Sequence, residues 1–324
     1  MSYPIVLNFH RVTPLSGDAA NPFRVMSTIS PNQFRFLLQL LRLQSTFSFY
    51  PIESEPYSFS NTRLFSFHLT FDDVPSSFIR YVLPVLEHFQ VPATIFVSAV
   101  NAERGFSWRD KIYYIIQYEA LRKLFSKRMD KVFNRNIHPD KKEILKSSKD
   151  SVFDRTKMER DVIDPVFLPR EQHFRRLIER FHPYLNWEDI SQLVKHPLIR
   201  IGNHGYSHEN YARLTCEEIN WDIDRSHNLI QERLGFNCRH FAVPFGQIER
   251  NIHHSVDESL AKLGYRTVGW IRDSSNVDPK GGRLLHYIRV DSSSFALINM
   301  LKCWKIALRR EQLVWRSKEN HDEN

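Results

Sequence analysis

Short apolar segments that fit buried strands alternate with segments whose apolar residues recur at helical spacing, through most of the 324-residue chain. No Asn-Gly pair, which is a common two-residue hairpin turn, joins consecutive strands. Such an alternation is typical of parallel strands connected by crossover helices. The sequence therefore predicts an α/β fold with seven parallel strands, at about residues 4–9, 64–71, 92–97, 198–203, 240–243, 265–268 and 284–290.

A charged region interrupts this alternation at about residues 103–180. It contains 20 Lys and Arg against 13 Asp and Glu, so it carries +7 of the net charge of +8. Its apolar residues recur at helical spacing, which predicts an inserted helical region, partly mobile, with a solvated charged surface. A basic patch that faces a phosphate-bearing or anionic-lipid substrate is the alternative interpretation.

The composition also bears on partners and location. The mildly basic charge balance gives no indication of a nucleic-acid partner. The three cysteines, Cys216, Cys238 and Cys303, have no metal-binding or disulfide spacing, which fits a reducing compartment. The N-terminus does not resemble a signal peptide, and no apolar run is long enough to span a bilayer. These features predict a cytoplasmic protein, which would reach a membrane-linked substrate at the inner membrane surface.

Two pairs of reactive side chains follow predicted strands. Asp72 and Asp73 end the second strand, and because neighbouring side chains on a strand point to opposite faces, the two are expected to have different roles. His204 and His208 follow the fourth strand, four residues apart. One or two carboxylates with two imidazoles form a ligand set for a divalent metal with open positions.

Further candidate residues also lie at or near the ends of predicted strands. In closed parallel barrels the chemistry gathers at the C-terminal ends of the strands, so these residues are expected to cluster with the Asp pair and the two His. They are His10, the turn Pro244-Phe245-Gly246, and His286.

These segments resemble the motifs of a known family. Residues 69–73 (Leu-Thr-Phe-Asp-Asp) look like the first motif of the polysaccharide deacetylase domain, also called the NodB homology domain of carbohydrate esterase family 4. Residues 202–208 are similar to its second motif, and residues 241–246 are similar to its third. The segments around His10 and His286 resemble the edges of the domain in its polysaccharide-biosynthesis members.

The resemblance implies a deformed (β/α)7 barrel of the NodB type over residues 1–294, with the helical charged insertion at about 103–180. Residues 295–324 remain as a C-terminal amphipathic helix and tail. That helix is predicted to pack on the barrel, and contact with an anionic membrane surface is the alternative. The oligomeric state stays open.

The resemblance also implies an activity, the hydrolysis of an N-acetyl group on an amino sugar of a polysaccharide or glycolipid. Asp73, His204 and His208 would hold a divalent metal, with zinc as the expected ion, and Asp72 would be the general base. A backbone N–H near Phe245, in the turn with Pro244 and Gly246, would help to hold the oxyanion. A histidine would protonate the leaving amine, with His286 and His10 as the candidates.

Three residues depart from the family pattern. Val74 stands where the family often has Gly, Gly205 where it usually has Ser or Thr, and Ala242 where an Arg often pairs with the base. Arg239, Arg272 or Arg289 could take the place of that arginine in space. These departures favour a second hypothesis, a catalytically impaired pseudoenzyme that binds glycans. A third hypothesis is a different C–N hydrolase, acting on a cyclic amide or peptide.

Overall fold

The computed structural model describes residues 5–14, 21–25, 28–43, 47–49, 65–150, 152–211, 214–245, 259–265, 267–271 and 284–289. Within these ranges the chain forms ten strands, and all pairings between them are parallel. The strands are β1 (Ile5–Phe9), β2 (Arg11–Val12), β3 (Thr28–Ile29), β4 (Phe47–Phe49), β5 (Phe65–Asp72), β6 (Ala93–Val97), β7 (Ile199–Asn203), β8 (His240–Ala242), β9 (Thr267–Ile271) and β10 (Leu284–Arg289).

Seven of these strands close into a ring. On one edge β1 pairs with β10, with Val6 opposite Tyr287, and on its other edge β1 pairs with β5, with Phe9 opposite Phe71. The remaining neighbours follow in the order β5, β6, β7, β8, β9 and β10. This closed parallel arrangement confirms the predicted (β/α)7 barrel, and its strands correspond to the seven predicted segments. The strand β4 pairs with the first residues of β5, and β2 and β3 form a separate two-stranded sheet.

Eleven named α-helices lie within the described residues, most of them between β6 and β7, and residues 259–262 are also helical. Each crossover carries the next parallel strand back to the same end of the barrel. The helices are α1 (Pro31–Leu43), α2 (Leu83–Phe89), α3 (Ala99–Arg104), α4 (Trp108–Ile115), α5 (Glu119–Phe133), α6 (Lys141–Lys149), α7 (Arg155–Met158), α8 (Asp164–Phe167), α9 (Glu171–Phe181), α10 (Trp187–Val194) and α11 (Cys216–Leu234).

The barrel is filled by a tightly packed aromatic and aliphatic core. The ring of Phe71 stacks on Phe9 at 5.1 Å between centroids, and Phe78 meets it edge-on at 5.0 Å. All five residues of β6 are buried, as expected of a parallel strand that is covered on both faces. The reactive residues at the strand ends are therefore carried on a rigid framework.

The helices between β6 and β7 enclose a second hydrophobic core. The interpretation of this region as a solvated charged surface was incomplete, because its apolar residues at helical spacing pack against one another. Members of this core include Phe125, Met129, Ile144, Met158, Phe167 and Phe174. Even one arginine there, Arg155, is buried.

Two further sequence predictions concern membrane-spanning helices and the C-terminal helix. No helix in the described ranges is both long and apolar enough to cross a membrane. The predicted C-terminal helix and tail, residues 295–324, lie outside the described residues.

Candidate metal and active site

The carboxylates of Asp72 and Asp73 are buried together at the C-terminal end of β5. Asp73 leaves the strand with a left-handed backbone, at φ 65°. This conformation breaks the alternation of side chains along the strand, so both carboxylates approach the same imidazole. The Nε2 atom of His204 is 3.9 Å from Asp72 Oδ2 and 3.8 Å from Asp73 Oδ1.

The ring of His204 is held in one orientation by the backbone. Its Nδ1 lies 2.7 Å from the carbonyl oxygen of Ala242, so Nδ1–H donates to that oxygen. The backbone N–H of His204 donates to the carbonyl of Val97 at 2.9 Å. With Nδ1 protonated, Nε2 has a free lone pair on the side of the two carboxylates, which is the usual tautomer of a metal-binding histidine.

His208 completes a compact cluster. Its Nε2 lies 2.6 Å from Asp73 Oδ1, and its ring is 4.9 Å from the ring of His204. One ligand atom each from Asp73, His204 and His208 lies within 4.8 Å of the other two, and all three residues are buried. Zinc ligands at about 2.0–2.2 Å from the ion are roughly 3.5 Å apart, so this set fits a small divalent cation with one position left open.

The charges of the cluster also suit a cation. Burial by itself would raise the pKa of Asp73, but the hydrogen bond from His208 and the positive charge of Arg109 lower that pKa well below its usual value, so Asp73 is ionised. Burial lowers the pKa of His208 to about 4, with a smaller contribution from Arg109, against the opposing effect of Asp73. His208 is therefore neutral at physiological pH, as a metal ligand must be.

The loop between the two histidines is anchored by Asp222, which the sequence motifs did not include. The Asp222 carboxylate accepts hydrogen bonds from the backbone N–H groups of Tyr206 and Ser207, each at 2.8 Å. It also accepts from the hydroxyl of Ser207 and, at 3.0 Å, from that of Tyr211. A Cβ added at Gly205, which has φ +75°, would lie 2.6 Å from Asp222 Oδ2. A glycine is therefore required here because the anchoring carboxylate occupies the space of a side chain.

Val74 stores backbone strain beside the cluster. Its φ of 45° is rare for a β-branched residue, and its side chain is buried. We expect Val74→Gly to be more stable than Val74→Ala by about 1 kcal/mol, because both lose the apolar contacts and only glycine removes the left-handed strain. Urea unfolding of the two variants measures this difference. If the alanine variant were as stable as the glycine variant or more stable, the proposed backbone strain at Val74 would be contradicted.

The arginine beside the cluster is Arg109 of α4, which belongs to none of the sequence motifs. Its Nη1 lies 3.3 Å from Asp73 Oδ2 and 3.0 Å from His208 Nε2. Of the candidates from the sequence, Arg239 is exposed, whereas Arg272 and the side chain of Arg289 lie outside the described structure. Arg109 thus comes from a distant helix and pairs with Asp73, whereas the substitute arginine would pair with the general base Asp72.

The other predicted site residues are placed less completely. Pro244 is buried, and the ring of Phe245 lies 5.1 Å from that of His208, whereas Gly246 is outside the described residues. His10 directly follows Phe9, whose strand partner is Phe71, so its backbone is level with Asp72 on the neighbouring strand. His286 is the third residue of β10, and its side chain is outside the described structure.

A parallel barrel with buried Asp and His side chains at its strand ends defines an α/β-barrel protein with a candidate metal centre. The family model for polysaccharide deacetylases matches residues 60–268, about two thirds of the chain, and includes both histidines and both aspartates. The chain belongs to the polysaccharide deacetylase family. No curated protein matches it by sequence.

Solved structures share the fold over most of the chain. The deacetylase PplD of Streptococcus pyogenes, in complex with acetate, has a TM-score of 0.58 at 13% identity and covers 92% of this chain and 96% of its own. IcaB from Ammonifex degensii has a TM-score of 0.56 at 20% identity, with coverage of 92% and 96%. A de-N-acetylase from Aggregatibacter actinomycetemcomitans reaches 0.52 at 14% identity, with coverage of 91% and 98%. At these identities the likeness shows the fold alone.

Proposed function

We propose that this protein is a metal-dependent deacetylase that removes the N-acetyl group of an amino sugar in a polysaccharide or glycolipid. Membership of the polysaccharide deacetylase family supports a hydrolase that acts on N-acetyl groups of carbohydrates. The observation that carries the metal dependence is the buried group of Asp73, His204 and His208, whose ligand atoms lie within 4.8 Å of one another. We assign these three residues as the ligands and zinc as the expected ion.

A divalent metal bound there would polarise the acetamide carbonyl and lower the pKa of a water. Asp72 is the proposed general base, because its carboxylate is buried beside the ligands and makes no part of the three-residue group. It takes the proton that the attacking water loses. The backbone N–H of Phe245, in the turn after Pro244, is proposed to donate to the oxyanion.

The leaving amine needs a proton donor, and two histidines are candidates. His10 is supported by its backbone position, level with Asp72 on the adjacent strand, since neighbouring strands are about 4.8 Å apart. His286 lies inside β10 and not at its end, next to Tyr287, which pairs with Val6. We therefore favour His10 as the acid and keep His286 as the alternative.

The test couples metal analysis to an acetate-release assay on N-acetylglucosamine oligomers. We expect about one divalent ion per chain by mass spectrometry, loss of acetate release after chelation, and recovery when the metal is restored. Asp73→Asn and His204→Ala should lose the metal. His138→Ala, which removes an exposed histidine, should retain it.

Each alternative has a distinct result in this test. Metal content that is unchanged in Asp73→Asn would refute the ligand assignment. Glycan binding without acetate release would indicate the pseudoenzyme. Hydrolysis of a cyclic amide or peptide, with no acetate from sugars, would indicate a different C–N hydrolase.

A further inference from the structure

Arg109 places a permanent positive charge against two of the residues proposed to hold the metal. Its Nη1 is 3.3 Å from Asp73 Oδ2, and 3.0 Å and 3.2 Å from the two ring nitrogens of His208. The side chain is only 12% exposed, so water does little to screen the charge. A guanidinium stays protonated at any pH at which the protein is folded.

The guanidinium is held where it is by its own contacts. Its Nη2 donates to the hydroxyl of Tyr113 at 3.3 Å, and its central carbon lies 5.2 Å from the ring centroid of Phe245. The buried carboxylate of Asp110 stabilises the start of α4. It accepts hydrogen bonds from the Ser107 backbone N–H at 2.7 Å and from the Tyr184 hydroxyl at 3.0 Å. These contacts fix the first turn of α4 and therefore the position of Arg109 beside the site.

The same helix is tied to the His208 segment on its other side. The indole N–H of Trp108 donates to the carbonyl of His208 at 3.4 Å. Arg155 lies 4.4 Å above the Trp108 ring and pairs with Glu209, at 2.8 Å between Nε and Oε1. The region between β6 and β7 therefore contacts the segment around His208, one of the proposed ligands, through Trp108, Arg109 and Arg155.

This arrangement opposes a divalent cation in two ways. A cation held by Asp73 and His208 would lie within a few ångströms of a buried positive charge, which repels it. Arg109 also pairs with Asp73 through Oδ2, so it already offsets the negative charge by which this carboxylate attracts a cation. Both effects lower the affinity of the ligands without altering any of them.

We propose that Arg109 is a built-in competitor of the metal, which pairs with Asp73 and His208 in the metal-free protein and keeps the affinity of the centre for divalent cations low. This inference rests on the proposed function, because it takes Asp73, His204 and His208 as the ligands. It assigns to the helical region between β6 and β7 control over how readily the site takes up and releases its metal.

The test measures zinc affinity and does not depend on activity. The full-length chain is stripped of metal, and Zn²⁺ is titrated in competition with a chromophoric chelator at fixed pH and ionic strength. We expect Arg109→Gln to bind Zn²⁺ at least about tenfold more tightly than the wild type. Arg109→Lys, which keeps the charge, should stay within about threefold of the wild type. Arg104→Gln, which removes an exposed arginine at the end of α3, should not change the affinity.

Equal or weaker zinc binding by Arg109→Gln would overturn the proposal. Arg109→Met, which retains more of the packing on Phe245, replaces the glutamine variant if circular dichroism shows that the latter is misfolded. The result also separates this inference from the proposed function. If Asp73→Asn binds Zn²⁺ as tightly as the wild type, the ligand assignment fails. If Asp73→Asn loses zinc and the Arg109 variants match the wild type, only the competitor role fails.

Discussion

Asp72→Asn is expected to lower the kcat of acetate release by a factor of about 10²–10⁴ and to leave the metal content unchanged. The asparagine preserves the size of the side chain but cannot accept a proton from the attacking water. Asp72 is buried beside the three proposed ligands, so its removal should change the chemistry without dismantling the centre. Steady-state kinetics and metal analysis on the same preparation measure the two quantities together.

Asp73→Asn is the matched control, since it is the same substitution one residue along the chain. It should lose both the metal and the activity. A variant at Asp72 that loses its metal, or that keeps wild-type kcat, would show that the roles of the two carboxylates are wrongly divided.

Asp222→Ala is expected to destabilise the protein by about 3–5 kcal/mol. The backbone N–H and hydroxyl groups that donate to this buried carboxylate would lose their acceptor. The loop that carries His208 depends on this carboxylate, so the affinity for metal should also fall, by about 10–100-fold. Denaturant unfolding of the metal-free protein gives the first quantity, and zinc competition gives the second.

Asp224→Ala provides the comparison for this prediction. Asp224 is exposed on the same helix, two residues away, and its removal should change stability by less than about 0.5 kcal/mol. If the two alanine variants proved equally stable, the anchoring role of Asp222 would be refuted.

The strand ends and their side chains were accessible from the sequence. Asp72, Asp73 and His204 each follow an apolar segment of strand length, and the rule that parallel strands gather their C-terminal ends predicts that they meet. His208 is brought back to Asp73 by a turn with left-handed residues at Gly205 and His208 itself, which strand periodicity does not describe.

Two residues that shape the site were not predicted, for different reasons. Arg109 lies 36 positions from Asp73, in a helix whose docking depends on the tertiary packing of its whole region, so no local pattern marks it. Asp222 did leave a signal, because it falls on the buried stripe of α11 with Ile219 and Ile223. A buried carboxylate needs hydrogen-bond donors, so its place on an apolar stripe could have indicated that it binds a nearby loop.

Placing β10 between β1 and β9 has a consequence for biosynthesis. Among the strands of the ring β1 is translated first, yet one of its two neighbours, β10, is translated last. Until Leu284–Arg289 is translated, one edge of β1 and one edge of β9 lack their partners, and such edges are where nascent chains associate wrongly. Closure of the ring therefore depends on a late contact between residues far apart in the sequence.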